Sequence, residues 1–194
     1  MDSTTQQVFL IRHGETEWSR DGRHTGRTDL PLTDEGRRHA AAIGRALQGR
    51  TFRVMVSPLG RARETCRLAG CADSARVDDD LREWDYGDYE GRTTLDIRRE
   101  IPDWSVWFSP IVHGESLDQV GARAQRVIAR VVAEAPENVA LFAHGHILRI
   151  LAACWIGLPP AGGRLLALDT ASVSRLGYER ETRVVREWNF TPRI

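Results

Sequence analysis

Arg12-His13-Gly14-Glu15-Thr16 follows the apolar run Val8-Phe9-Leu10-Ile11, so a guanidinium and an imidazole meet where a strand is expected to stop. That pairing suits attack on a phosphoryl group. The planar fork of arginine grips two phosphate oxygens at once, and a neutral imidazole nitrogen can serve as nucleophile near physiological pH. Gly14 lets the backbone come close to a ligand, and a strand-end glycine before a helix start would offer N–H groups to an anion. Taken alone, Arg-His-Gly is equally a strand end with a surface histidine. The motif therefore predicts an anionic ligand first and catalysis second.

Spacing and caps mark the elements that would position these groups. Residues 8 to 12 read as a buried strand, followed by a polar loop from Ser19 to Pro31. A helix then starts at Thr33, with Asp34 and Glu35 in its first turn and Ile43, Ala46 and Leu47 toward the core. Arg53 to Val56 reads as a second strand running into Ser57-Pro58, where serine can cap and proline can open a helix reaching about Ala69. The clearest helix covers residues 116 to 134. The capping box Ser116-Leu117-Asp118-Gln119 opens it, and Leu117, Val120, Ala124, Val127, Ile128 and Val131 share one face. Val139 to Ala143 has the unbroken apolar character of a strand covered on both sides, and leads into His144-Gly145-His146 and a helix to about Trp155. Leu165 to Trp188 reads as β-rich edge structure.

Strands alternating with helices imply an α/β fold with a mostly parallel central sheet, whose ligands bind beyond the carboxyl ends of the strands. His13, Arg61 and His144 fall at or just past such ends, so segments far apart in sequence converge at one edge of the sheet.

The 194 residues, 41% hydrophobic, fit one domain spanning 1–194 with a single substantial core. Formal net charge is zero, which argues against partners that need a basic excess, so neither nucleic acid nor a membrane surface is expected. The 27 basic residues are all arginine, which excludes chemistry that needs a Schiff-base or P-loop lysine. Cys66, Cys71 and Cys154 form an odd set without CxxC spacing, so reduced structural thiols are expected rather than a disulfide framework or zinc site. Residues 1 to 7 are polar, and no apolar run approaches the ~20 residues needed to span a bilayer, so a cytoplasmic location is expected. The oligomeric state is left open, a homodimer included.

VFLIRHGETEW, Thr25-Gly26 with Leu30-Pro31-Leu32-Thr33 and Gly36, SPLGRARET, LREWDYGDYEG, Gly114-Glu115-Ser116 and FAHGHILR together resemble the histidine phosphatase superfamily, also called phosphoglycerate mutase-like. The motifs span residues 8 to 149 in matching order and spacing. The resemblance implies one three-layer α/β/α domain in which His13 becomes phosphohistidine. It makes Arg12, Arg61 and His144 holders of the phosphoryl oxygens and Glu83 the general acid and base. Matching adds Gly14, Ser19, Thr25, Gly26, Tyr86, Gly145 and His146 as substrate-side contacts, Ser19 standing where many relatives carry asparagine. Fixed cations suit in-line phosphoryl transfer, so neither a metal nor a cofactor is expected. His24, His39 and His113 are assigned no chemistry.

The resemblance leaves several activities open. Glycolytic mutases are longer and usually carry a lysine where this chain has Thr94, which favours hydrolysis of a small phosphorylated metabolite over mutase activity. EWDYGDYEG is similar to the acid segment of phosphatases acting on seven-carbon sugar bisphosphates, and Arg23, Arg27, Arg92 and Arg98 could hold a second phosphate. Trp104-Ser105-Val106-Trp107-Phe108 would line or cover the pocket, or pack in the core. A protein phosphatase, or a non-catalytic phosphate-binding module, remains the alternative on the same fold.

Overall fold

The alternating apolar residues of β1 (Val8–Arg12) show why this chain builds two helical layers on one sheet. Val8 and Leu10 pack on one side, with residues of α5 (Leu117–Ala133) and α6 (Gly145–Trp155). Phe9 and Ile11 pack on the other, with Ile43 and Leu47 of α2 (Asp34–Leu47) and Ala62 and Cys66 of α3 (Gly60–Leu68). Each fully buried Leu or Ile contributes about 1.5–3 kcal/mol, and both Leu10 and Ile11 are completely enclosed. The computed structural model describes residues 6–135 and 137–194. The polar start of the chain, residues 1 to 5, lies outside them.

Six strands form one sheet in the order β3-β2-β4-β1-β5-β6. β3 (Ala75–Val77), β2 (Arg53–Val56), β4 (Val139–Ala143) and β1 run parallel, while β5 (Val173–Glu179) is antiparallel to β1 and to β6 (Thr182–Phe190). The register Arg12↔Ala143 brings the ends of β1 and β4 side by side, so His13 and His144 emerge together.

Helix α2 starts at Thr33, whose hydroxyl accepts from Gly36 N–H, and the capping box of α5 closes between Ser116 and Gln119, as read from sequence. Ala42 takes the buried place expected for Ala46, which is only partly covered. Other boundaries differ. Ser57 does not cap α3, which begins at Gly60 instead of Pro58. The Asp29 carboxylate does the capping from a distant loop, accepting from Gly60 N–H at 2.5 Å. Ser19 belongs to a short helix, α1 (Glu17–Arg20), rather than to the loop, because Thr16 and Ser19 form a capping box. Strand β3 and helix α4 (Thr94–Glu100) were not apparent from sequence. In the last third only β6 is an edge. β5 lies inside the sheet against β1, and residues before Val173 form a 3₁₀ turn and a loop.

Candidate active site

His13 leaves β1 with its backbone clamped on both sides: its N–H donates to Ala143 O and its carbonyl accepts from Ala171 N–H, each at 3.0 Å. Its Nδ1 lies 2.7 Å from Gly14 O. A carbonyl can only accept, so Nδ1 carries the hydrogen and Nε2 keeps a bare lone pair. Burial, and then the nearby Arg61 and Arg12 guanidiniums, hold the His13 pKa well below the ordinary imidazole value. The ring is therefore neutral and nucleophilic at physiological pH.

Beneath His13 lie two groups with no exposed surface, Arg61 and His144. Arg61 Nε donates to His144 Nδ1 at 3.2 Å, so the remaining ring hydrogen sits on His144 Nε2 and is donated to Ser57 Oγ at 2.7 Å. The rest of the guanidinium is held by the carbonyls of Thr28, Thr25 and Gly26 at 2.7–3.0 Å. Arg12 is partly exposed on the cavity. Its Nη1 donates to Leu168 O at 2.5 Å, while its buried Nε has no partner among the described residues. An orphaned charged donor beside a bare imidazole is a place for an oxyanion.

Glu83 reaches the same cavity from the segment after β3. Its carboxylate accepts the backbone N–H groups of Trp84, His146 and Ile147 at 2.9–3.0 Å. The amino end of α6 thus spends the N–H groups of His146 and Ile147 on the glutamate. Arg123 fixes the segment from behind, donating to the carbonyls of Asp80 and Arg82 and bidentately to Glu115 at 2.7 and 2.8 Å, which gives Gly114-Glu115-Ser116 its structural purpose.

The cavity, about 170 Å³, is smaller than the ~300–1,000 Å³ of drug-sized sites and suits a small ligand. Of the residues named from sequence, Arg12, His13, Ser19, Thr25, Glu83, Tyr86, Gly145 and His146 line it. Four expectations need correction. Gly14 offers no N–H to a ligand, because Thr65 Oγ1 accepts it at 3.0 Å; a Cβ there would stand 2.5 Å from Gly36 O, so glycine serves tight packing. Gly26 lies outside the cavity lining: its N–H goes to Glu90, its carbonyl to Arg61, and a Cβ would meet Trp84 O at 2.4 Å. Ser19 Oγ is engaged with Thr16, donating to its carbonyl at 2.9 Å. Arg61 and His144 are covered in this state rather than facing the cavity.

The residues offered for a second phosphate sort differently. Arg23 lines the cavity, but Arg27 pairs with Asp85, Arg92 with Glu100, and Arg98 donates to Trp104 O. Arg149, given no role from sequence although it closes FAHGHILR, lines the cavity, as does His24, whose pKa burial holds down to about 4. Trp104 is core, Phe108 is exposed, and Trp107 packs behind His146 at 5.1 Å, so this aromatic segment supports the wall without lining it. Asp29 and Glu90, which hold the loop around Arg61, were given no role from sequence because their partners lie more than 30 positions away.

The model of the histidine phosphatase superfamily (branch 1) matches residues 8–191. The chain belongs to that superfamily. This histidine phosphatase is 41% identical over 187 residues to an acid phosphatase from Mycobacterium tuberculosis, covering 94% of this chain and 92% of that protein. It is 38% identical over 192 residues to sedoheptulose 1,7-bisphosphatase from Saccharomyces cerevisiae, covering 81% and 70%. The solved structure of an open reading frame product from Mycobacterium tuberculosis superimposes with a TM-score of 0.93 at 39% identity, over 97% of this chain and 100% of that one. The histidine phosphatase carries no described helix long and apolar enough to cross a membrane.

Proposed function

We propose that the protein, as one domain, hydrolyses small phosphomonoesters of the sugar phosphate or bisphosphate class through a phosphohistidine on His13, with no metal in the reaction. The observation that carries this reading is the bare Nε2 of His13, set by the Nδ1 to Gly14 O bond, on the cavity that Glu83 also lines. The name of the yeast relative supports a sugar bisphosphate as substrate.

In the first step His13 Nε2 forms a bond to phosphorus while the ester P–O bond breaks, and protonated Glu83 gives its proton to the departing alkoxide oxygen. In the second, Glu83 as carboxylate takes a proton from water, whose oxygen attacks phosphorus. The N–P bond breaks, and inorganic phosphate and neutral His13 are restored. Arg12 and Arg61 stabilise the equatorial oxygens. Entry of the phosphoryl group replaces the contacts that Arg61 and His144 make with each other and with Ser57.

Phosphate release from sugar mono- and bisphosphates and an aryl phosphate, measured in EDTA for wild type and His13→Ala, tests this. Removing the nucleophile should cost ~10³-fold or more. An undiminished variant sinks the phosphohistidine, and conversion of 3-phosphoglycerate to 2-phosphoglycerate without phosphate release would replace hydrolysis by mutase activity.

A further inference from the structure

Arg12 is aimed by a loop. The Leu168 carbonyl accepts from its Nη1 at 2.5 Å, and the same loop ties down the end of β1: Ala171 N–H donates to His13 O at 3.0 Å, and Arg12 N–H to Ser172 O at 3.2 Å. Residues 167 to 172 are loop and turn, so no helix or sheet ladder fixes where the Leu168 carbonyl stands.

Two neighbouring side chains of β6 do so instead. Trp188 Nε1 donates to Ala167 O at 2.5 Å. Asn189 forms a reciprocal pair with Asp169: its Oδ1 accepts Asp169 N–H at 2.7 Å, and its Nδ2 donates to the Asp169 carboxylate at 2.8 Å. The N–H can only donate and the carboxylate only accept, which fixes the amide's orientation. The residues on both sides of Leu168 are therefore held from the edge strand, and Ser172 Oγ closes the turn by donating to Asp169 O at 2.7 Å.

Consecutive side chains of a regular strand point to opposite faces, so Trp188 and Asn189 could not both reach one loop from an unbroken β6. The β5–β6 register breaks that alternation. Val173 pairs with Phe190 and Arg175 with Glu187, which leaves Trp188 and Asn189 opposite the single residue Ser174. Asn189 takes up the left-handed backbone, with φ 58°, and its N–H donates to Ser174 Oγ at 2.9 Å. A bulge re-aims a side chain in this way, and asparagine is among the few residues that accept the conformation.

We propose that Asn189 is a positioning residue for phosphoryl binding: clasped to Asp169, it sets the Leu168 carbonyl and, through it, the Arg12 guanidinium against the phosphate oxygens. This rests on the phosphatase reading and gives a part in it to an edge-strand residue outside the cavity lining.

Asn189→Gly removes the amide but accepts the left-handed backbone. It should lower kcat/KM by about tenfold or more and weaken orthovanadate binding, measured by calorimetry, to a similar degree, since a misplacement of about 1 Å costs up to ~10²-fold. The loss should be equal for a sugar phosphate and an aryl phosphate, because Arg12 holds oxygens that both carry, whereas a fault at Glu83 would fall on the sugar phosphate. Asn189→Asp should be at least as damaging, its carboxylate facing that of Asp169. Adding Asp169→Asn should restore activity by exchanging donor and acceptor, and recovery in that swapped pair separates lost placement from lost fold. Unchanged kcat/KM and vanadate affinity in Asn189→Gly, a loss confined to the sugar phosphate, or a swapped pair no better than Asn189→Asp alone would each overturn the proposal. A wild type that hydrolyses no phosphomonoester would sink the phosphatase reading instead, and vanadate affinity would still test the clasp.

Discussion

Tyr86 Oη lies 2.6 Å from His146 Nδ1. The phenol is buried and has no other hydrogen-bond partner among the described residues, and burial followed by Glu83 and Glu90 raises its pKa well above 10. Its hydrogen therefore goes to Nδ1, leaving the imidazole hydrogen on Nε2. Burial, then Arg149 and His24, keeps His146 neutral. The same residue donates its backbone N–H to Glu83 Oε2, so Tyr86 steadies both the cavity wall and the acid.

Tyr86→Phe should leave His146 Nδ1 without a donor, lowering stability by about 1 kcal/mol and reducing kcat/KM. Thermal unfolding and ¹⁵N NMR of the imidazoles check this. Unchanged stability with an unchanged His146 tautomer would show that the phenol contributes nothing.

Acid should unfold the protein through its buried histidines. His13, His144 and His146 have pKa values well below 6.5 when folded, and His24 falls to about 4. Below pH 6.5 the unfolded chain binds protons that the folded chain refuses, so stability drops as pH falls toward the folded values. A histidine that stays neutral at pH 5 costs of the order of 2 kcal/mol there. Urea unfolding at pH 7.5, 6 and 5 should show a steady loss, and a flat profile would contradict the burial of these rings.

Glu83→Gln removes both proton transfers. Turnover of sugar phosphates should fall by ~10²–10⁴-fold. An aryl phosphate, whose leaving group departs without a proton, should still phosphorylate His13, giving a burst of about one phenol per enzyme while the phosphoenzyme accumulates. Full turnover without a burst would remove Glu83 from the water-activating step.

Much of this architecture was legible because it depends on near neighbours in the chain. The two-sided apolar runs Val8–Ile11 and Val139–Ala143 specified buried strands, and Thr33 and Ser116 marked helix starts through bonds three residues long. The β5 pairing with β1 was harder to see, because strand order depends on contacts more than 150 residues apart.

The sequence by itself determined the chemistry available: an imidazole and a guanidinium at a strand end, a glutamate in an aromatic segment, and a second histidine after a buried strand. Only the tertiary structure decided which donors are free. It gave Gly14 N–H to Thr65, Gly26 N–H to Glu90 and the N–H groups of His146 and Ile147 to Glu83, and among the described residues it left Arg12 Nε without a partner. A hydrogen bond is a matter of angstroms and angles, and residue types in order do not encode which distant carbonyl or carboxylate will arrive to fill it.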